Sequence, residues 1–194
     1  MVWCCWGKVD NRTQALSVNQ VQNLDSLKSK PRETSIQLTE TQKKFLESLK
    51  PFVKKVANTT GIAPSVIFAQ AILESAWGTS TLAKEANNFF GIKADEKWQG
   101  KSMVHETKEV RDGKVITITA KFRAYNNQAE SVQDYGQFFT SNPWRIRNYY
   151  HFRNSTNYLD AVIALQRSGY ATDPTYAEKL KSVIERYSLD RIEF

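Results

Sequence analysis

The stretch Pro64-Ser-Val-Ile-Phe-Ala-Gln-Ala-Ile-Leu-Glu-Ser-Ala-Trp77 is apolar on nearly every face of a helix, yet it carries Gln70 and Glu74. Pro64 suits a first helical turn, and a helix that is apolar all round belongs in the middle of a domain. Residues four apart sit one above the other, so the amide and the carboxylate share a stripe. A carboxylate among aliphatic and aromatic neighbours loses hydration; this raises its pKa and lets it keep a proton near neutral pH, as a general acid must. Glu74 is therefore the first catalytic candidate. The alternatives are a structural ion pair with a distant Lys or Arg, or a carboxylate facing solvent from the helix end near Gly78.

Working outward, Phe45, Leu46, Leu49, Phe52, Val53 and Val56 make the apolar stripe of a helix starting near Thr39, which Pro51 is expected to kink and Gly61 to end. A short helix over 81–86 follows the central one. The period then switches from helical to alternating: 104–110 and 115–122 are β-rich and flank Asp112-Gly113, a pair suited to a tight hairpin turn. Helical patterns return over 128–140, 158–167 and 175–187. The fold class expected is α+β, mainly α, with one core over 39–194. Residues 1–38 are rich in Ser, Asn, Gln and Thr and contain Lys28-Ser-Lys-Pro-Arg32, so they read as a flexible leader. Its Val21, Leu24 and Leu27 offer at most a marginal amphipathic helix, and Trp3-Cys-Cys-Trp6 a weak surface contact.

A two-residue loop at Asp112-Gly113 pairs Glu109 with Ile116, Thr107 with Ile118 and His105 with Ala120. Paired residues share a face, so Glu109 joins Ile116, Ile118, Ala120 and Phe122 on the apolar side, while Glu106 and Lys108 fall on the other. Glu109 is then a candidate second carboxylate, able to activate water across a cleft between helix and hairpin. A three-residue loop would flip the register and promote Glu106. Glu109 could also simply neutralise Lys108, Arg111 or Lys114.

The composition narrows the function. The 194 residues are 41% hydrophobic and hold 27 Lys and Arg against 20 Asp and Glu, a net charge of +7. No window is apolar enough to span a membrane, and the start lacks the pattern of a secretory signal. With Cys4, Cys5, His105 and His151 the only residues of their types, zinc-type sites are not expected, and no phosphate-binding glycine loop appears. The basic balance favours a polyanionic partner, but no nucleic-acid signature accompanies it, so anionic wall polymers are the better reading. Aromatic residues recur, among them Phe90, Tyr125, Tyr170 and Tyr176; flat apolar faces of this kind suit a sugar-binding groove, although most are expected in the core. Ser168-Gly-Tyr-Ala-Thr-Asp-Pro-Thr-Tyr176 is a Gly- and Pro-bounded loop presenting two phenols.

The central stretch, Asn87-Asn-Phe-Phe-Gly-Ile-Lys93, Ala120-Lys-Phe-Arg-Ala-Tyr125 and Gly169-Tyr-Ala-Thr-Asp-Pro-Thr-Tyr-Ala-Glu-Lys-Leu180 together resemble the glucosaminidase domains of glycoside hydrolase family 73, over about 39–187. The resemblance implies a lysozyme-like fold, with a helical domain and a small β-hairpin lobe over the active-site cleft. It implies hydrolysis of the β-1,4 bond after N-acetylglucosamine in peptidoglycan, without a cofactor or metal. The general acid falls on Glu74 and the second acidic residue on Glu109. Gln70, Asn88, Phe90, Tyr125, Tyr170 and Tyr176 are the substrate-binding residues expected, and Asp134, in a Ser-x-x-Asp-Tyr stretch, is read as structural. Ala76 stands where many relatives have Gly. The protein is expected to act as a monomer on glycan strands at the wall or periplasm, by an export route the sequence does not show. The rival activities are a muramidase or lytic transglycosylase on the same scaffold, and a non-catalytic wall-binding module.

Overall fold

The computed structural model describes residues 24–111, 114–171 and 173–194, with the backbone alone for 108–111 and 114–115. Trp3-Cys-Cys-Trp6, Val21 and the Asp112-Gly113 pair lie outside the described residues.

Helix α1 (Glu40–Thr60) starts in a capping box: the Thr39 hydroxyl accepts the Gln42 N–H, and the Gln42 side chain accepts the Thr39 N–H. It ends at Gly61, as the sequence predicts, and runs through Pro51 without breaking. Helix α2 (Pro64–Ser75) is the stretch read first. Val66, Ile67, Phe68, Ala69 and Ala71 have no exposed surface, as an all-round apolar helix requires. The order continues with α3 (Thr81–Ala86), β1 (Ser102–Arg111), β2 (Lys114–Arg123), α4 (Gln128–Phe138), α5 (Pro143–Asn148), α6 (Tyr150–Arg153), α7 (Tyr158–Arg167), α8 (Tyr176–Arg186) and a 3₁₀ turn, Leu189–Arg191. Asn127, Asn142 and Asn157 cap α4, α5 and α7 through their side-chain oxygens. α2 packs against α1, α7 and α8, and α1 also packs on α4. There Gly136 is needed, since a Cβ would stand 2.6 Å from Val56 Cγ1.

The hairpin has the expected register, with Glu109 opposite Ile116 and His105 opposite Ala120. Exposure alternates accordingly: Thr117, Thr119, Lys121, Val104 and Glu106 are exposed, while Ile116, Ile118, Ala120 and His105 are half-buried. Its base is sewn to residues 92–94 by a Lys93–Phe122 bridge, by the Ala94 N–H to Lys121 O (2.9 Å) and by the Arg123 N–H to Ile92 O (2.8 Å).

Two findings depart from the sequence reading. α5 and α6 fall where no element was expected. The described part of the expected leader, 24–38, is not free but docked along α7 and α8. Leu24 and Leu27 are core residues, at 5% and 4% exposure. Arg32 makes a two-pronged bond to Asp190 (2.8 Å each), Asp25 pairs with Arg167, Lys28 with Asp160 and Lys30 with Glu178. The Glu33 N–H reaches Glu185 (3.0 Å) and the Ile36 N–H reaches Arg186 O (2.8 Å). Among the described residues no helix is long and apolar enough to cross a membrane.

Candidate active site

Glu74 lies on the last turn of α2, half-buried, and a directional row of hydrogen bonds ends on it. The Tyr135 hydroxyl of α4 donates to Gln70 Oε1 (2.5 Å), and Gln70 Nε2 donates to the Tyr176 oxygen (3.1 Å). The Tyr176 hydroxyl, at the start of α8, donates to Glu74 Oε1 (3.1 Å). The shared stripe read from the four-residue spacing is thus real, but it continues through two phenols from elements far along the chain. Each group in the row donates to the next, and the last bond holds one oxygen of the carboxylate.

The chain turns sharply just past the carboxylate. Ala76, Trp77 and Gly78 are all left-handed, at φ 50, 60 and 75°, a conformation unfavourable for a residue with a Cβ. Ser75 stabilises the turn: its hydroxyl donates to Ala71 O (2.6 Å) and accepts the Gly78 N–H (2.8 Å). The Trp77 ring packs edge-on against Tyr187 and Phe45. Ala76, which stands where the resembled family commonly has Gly, therefore carries a backbone conformation that Gly adopts without strain.

Opposite Glu74 runs the backbone of Gly91, at φ 63°; a Cβ there would stand 3.8 Å from Glu74 Oε2. One carboxylate oxygen is thus held by a phenol, and the other faces the segment that leads into residues 92–94 and the hairpin base. Position 109 is on the strand face of His105 and Thr107, the half-buried one, six residues up β2 from Phe122 at its partner Ile116. Glu106 is on the exposed face.

The six residues expected to bind substrate are placed mostly beneath the surface. Gln70, Asn88, Phe90 and Tyr176 have no exposed area, and Tyr125 and Tyr170 keep only 7% and 5%. Asn88 donates to Ile92 O (2.9 Å) and Arg123 O (2.8 Å) and accepts the Ile92 N–H (3.0 Å), so its amide fastens the Gly91 turn to β2. Phe90 stacks on Tyr135, with ring centroids 4.2 Å apart. Tyr170 sits among Phe138, Phe139, Tyr149 and Tyr176. The Tyr125 hydroxyl is committed to Asp134 Oδ2 (2.7 Å), and burial together with the Asp134 charge pushes its pKa far above the ordinary value. These residues lie in the packed layer around Glu74 and the Gly91 segment.

Asp134 has the structural part read for it: both oxygens accept from Arg123 Nη1 at 2.9 Å. Arg123 in turn lies 4.4 Å over the Trp98 ring and 3.6 Å from Asp95. Tyr135, Ser75 and Gly91 were not singled out from the sequence. Tyr135 adjoins Asp134 in a stretch already noted, and that was the available signal. No group of three or more His, Cys, Asp or Glu that could hold a metal occurs among the described residues.

A half-buried carboxylate at the end of an apolar helix, with one oxygen held by a phenol and the other near the Gly91 backbone, is a geometry compatible with acid–base chemistry. Comparison with known proteins identifies a glycosidase family. A family model described as Glucosaminidase, mannosyl-glycoprotein endo-beta-N-acetylglucosaminidase, matches residues 50–189. The chain is 43% identical to exo-glucosaminidase LytG of Bacillus subtilis over 168 residues, which is 85% of this chain and 59% of that protein. It is 37% identical to the peptidoglycan hydrolase FlgJ of Vibrio parahaemolyticus over 145 residues, 73% of this chain and 46% of that one. It thus spans about half the length of these curated relatives. Among solved structures, the catalytic domain of the autolysin Auto from Listeria monocytogenes superposes with a TM-score of 0.67 at 34% identity, covering 91% of this chain and 98% of that domain.

Proposed function

This chain belongs to the glucosaminidase family, and from that premise we propose that it is an endo-β-N-acetylglucosaminidase of peptidoglycan, cutting the β-1,4 bond between N-acetylglucosamine and N-acetylmuramic acid. The observation that carries the assignment is the row from Tyr135 through Gln70 and Tyr176 that ends on Glu74, facing the glycine segment at the hairpin base.

Glu74 is the general acid and protonates the glycosidic oxygen as the bond to the anomeric carbon breaks. Glu109, at the register position shared with His105 and Thr107, is the second carboxylate, and that position supports it over Glu106. It activates a water or assists the substrate's own acetamido oxygen. A water-activating pair needs about 6.5–9.5 Å between carboxyl groups. The substrate is the glycan strand at the wall or periplasm, the protein works as a monomer, and the +7 charge draws it to anionic wall polymers, an attraction that high salt screens.

The test is digestion of purified peptidoglycan, borohydride reduction of the fragments and mass spectrometry of the new ends, with Glu74→Gln alongside. Reduced N-acetylglucosamine ends on fragments of many lengths, absent with the variant, are the expected result. Single-unit products would make the enzyme exo-acting. Reduced or anhydro N-acetylmuramic acid ends would replace the activity by a muramidase or transglycosylase, and no new ends from several walls would leave a binding module.

A further inference from the structure

A cavity of about 850 Å³ opens between the 93–98 segment, the base of β2 and the junction of α4 with α5, and Glu74 is not among its lining residues. It holds two guanidinium groups in contrasting states. Arg123 is saturated, with Asp134 at 2.9 Å, Asp95 at 3.6 Å and the Lys93 carbonyl at 3.3 Å. Arg145 is half-buried on the face of Phe138, its guanidinium carbon 3.7 Å from the ring centroid. Its only side-chain bonds among the described residues go from Nη1, to Ser141 Oγ at 3.0 Å and the Phe138 carbonyl at 3.5 Å. It takes part in none of the ion pairs among the described residues. Burial lowers its pKa, and Tyr149, Asp95 and Asp134 offset this only in part.

We propose that this cavity binds the acidic peptide branch of the glycan strand, with Arg145 taking a peptide carboxylate, an assignment that rests on the peptidoglycan reading above. A guanidinium has a donor fork matched to a carboxylate, and Nε and Nη2 of Arg145 are left to form it. Exposed Lys97 and Lys121 line the same cavity and add positive charge. Gln137 and Asn142 supply amide groups of the kind that pair with a peptide backbone, and Phe138 supplies an apolar wall. The volume suits a ligand the size of a few amino acids, whereas a polyphosphate-type polymer would follow an open surface. Position agrees as well. The 93–98 segment continues directly from Gly91 beside Glu74, and on α4 Asp134 lines the cavity while the adjacent Tyr135 reaches Gln70. A branch hanging from a strand in the cleft falls on this side.

Two measurements test it. The first is kcat/KM on stem-bearing glycan and on the same strands stripped of their peptides, for the wild type, Arg145→Gln and Arg145→Lys. The expected result is a wild-type preference for stem-bearing strands of about tenfold, lost in Arg145→Gln through KM and partly kept in Arg145→Lys. An equal loss on both substrates would mean that Arg145 only props Phe138, and no wild-type preference would overturn the site. The second measurement needs no cleavage: muramyl tripeptide is titrated against the protein while the Trp98 indole N–H, which donates to Lys101 O at 2.8 Å beside the cavity, is followed by NMR. Binding that weakens about tenfold when the peptide carboxylates are converted to amides, or in Arg145→Gln, is the expected outcome. Binding indifferent to both changes, or a tripeptide displaced more readily by inorganic polyphosphate than by its own excess, would overturn it. Binding as expected without any cleavage would leave the cavity standing and remove the hydrolase reading.

Discussion

Helix α8 touches two polar clusters that differ in one respect. At its first residue, Tyr176 joins Gln70 and Tyr135 in a row that ends on Glu74, which is half-buried and receives a neutral phenol. Toward its other end, Glu185 is 2% exposed and is met by Lys181 (2.7 Å), by the Tyr158 hydroxyl (2.7 Å) and by the Glu33 N–H of the docked segment (3.0 Å). Both are carboxylates beside phenols on a helix in the core. The one neutralised by a lysine and capped by a strap of chain is closed and serves stability. The one that ends the row from Tyr135 is half-buried beside the Gly91 segment, at the end of its helix. Residue type does not separate structure from function here; the partners and the access do.

Conversion of each carboxylate to its amide should therefore give opposite results. Glu74→Gln should lower turnover about 1000-fold with an unchanged melting temperature, as removal of a general acid does. Glu185→Gln should keep the turnover number but cost about 3 kcal/mol of unfolding free energy in urea, because Lys181 is left buried opposite a neutral group. If both variants lose activity without losing stability, the distinction fails. The same pair predicts a pH effect. Burial pushes Glu185 up, but the bonds from Lys181, the Glu33 N–H and Tyr158 outweigh it and hold its pKa below 4.5. Its contribution is thus fully present above the unfolded value and is lost as pH falls through the lower folded one. Melting temperatures from pH 6 down to pH 3, both taken as rough limits around that range, should fall less steeply in Glu185→Gln than in the wild type.

A smaller change sharpens the first cluster. Tyr176→Phe removes the donor to Glu74 and the acceptor of Gln70, and should lower kcat about tenfold with KM little changed, together with about 1–2 kcal/mol of stability. A variant that lost stability alone would make Tyr176 a packing residue. The smallest effect is a gain. Ala76→Gly relieves an exposed Ala at φ 50° and should raise stability by about 0.5–1 kcal/mol, measurable as a higher urea midpoint.

The parts of this arrangement legible in the sequence are those carried by local periodicity. α2 was readable because an apolar run interrupted only at 70 and 74 has few other homes, and the hairpin because Asp112-Gly113 and strict alternation fix a register. α5 and α6 went unread because they present almost no apolar stripe: α5 buries no residue and α6 only Phe152. The docking of 24–38 was invisible for another reason: its charges look solvated until Asp160, Arg167, Glu178 and Asp190 are brought to them from the far end of the chain. The aromatic and amide residues around Glu74 stand out in the sequence, but their identity does not say how deeply each is buried. The full burial of Phe90 and Asn88 follows from the Gly91 turn, which Asn88 ties to β2.

The hairpin is two strands wide and is joined to residues 92–94 at its base, around Phe122. Six residues of strand separate that joint from the level of Glu109, an arm of about 20 Å at the usual rise. With an arm of that length, a tilt of about 10° at the base displaces the level of Glu109 by about 3.5 Å, while Glu74, anchored in the packed helices, stays where it is. The distance from Glu74 to the backbone level of residue 109 is thus sensitive to an angle at one joint, around Phe122.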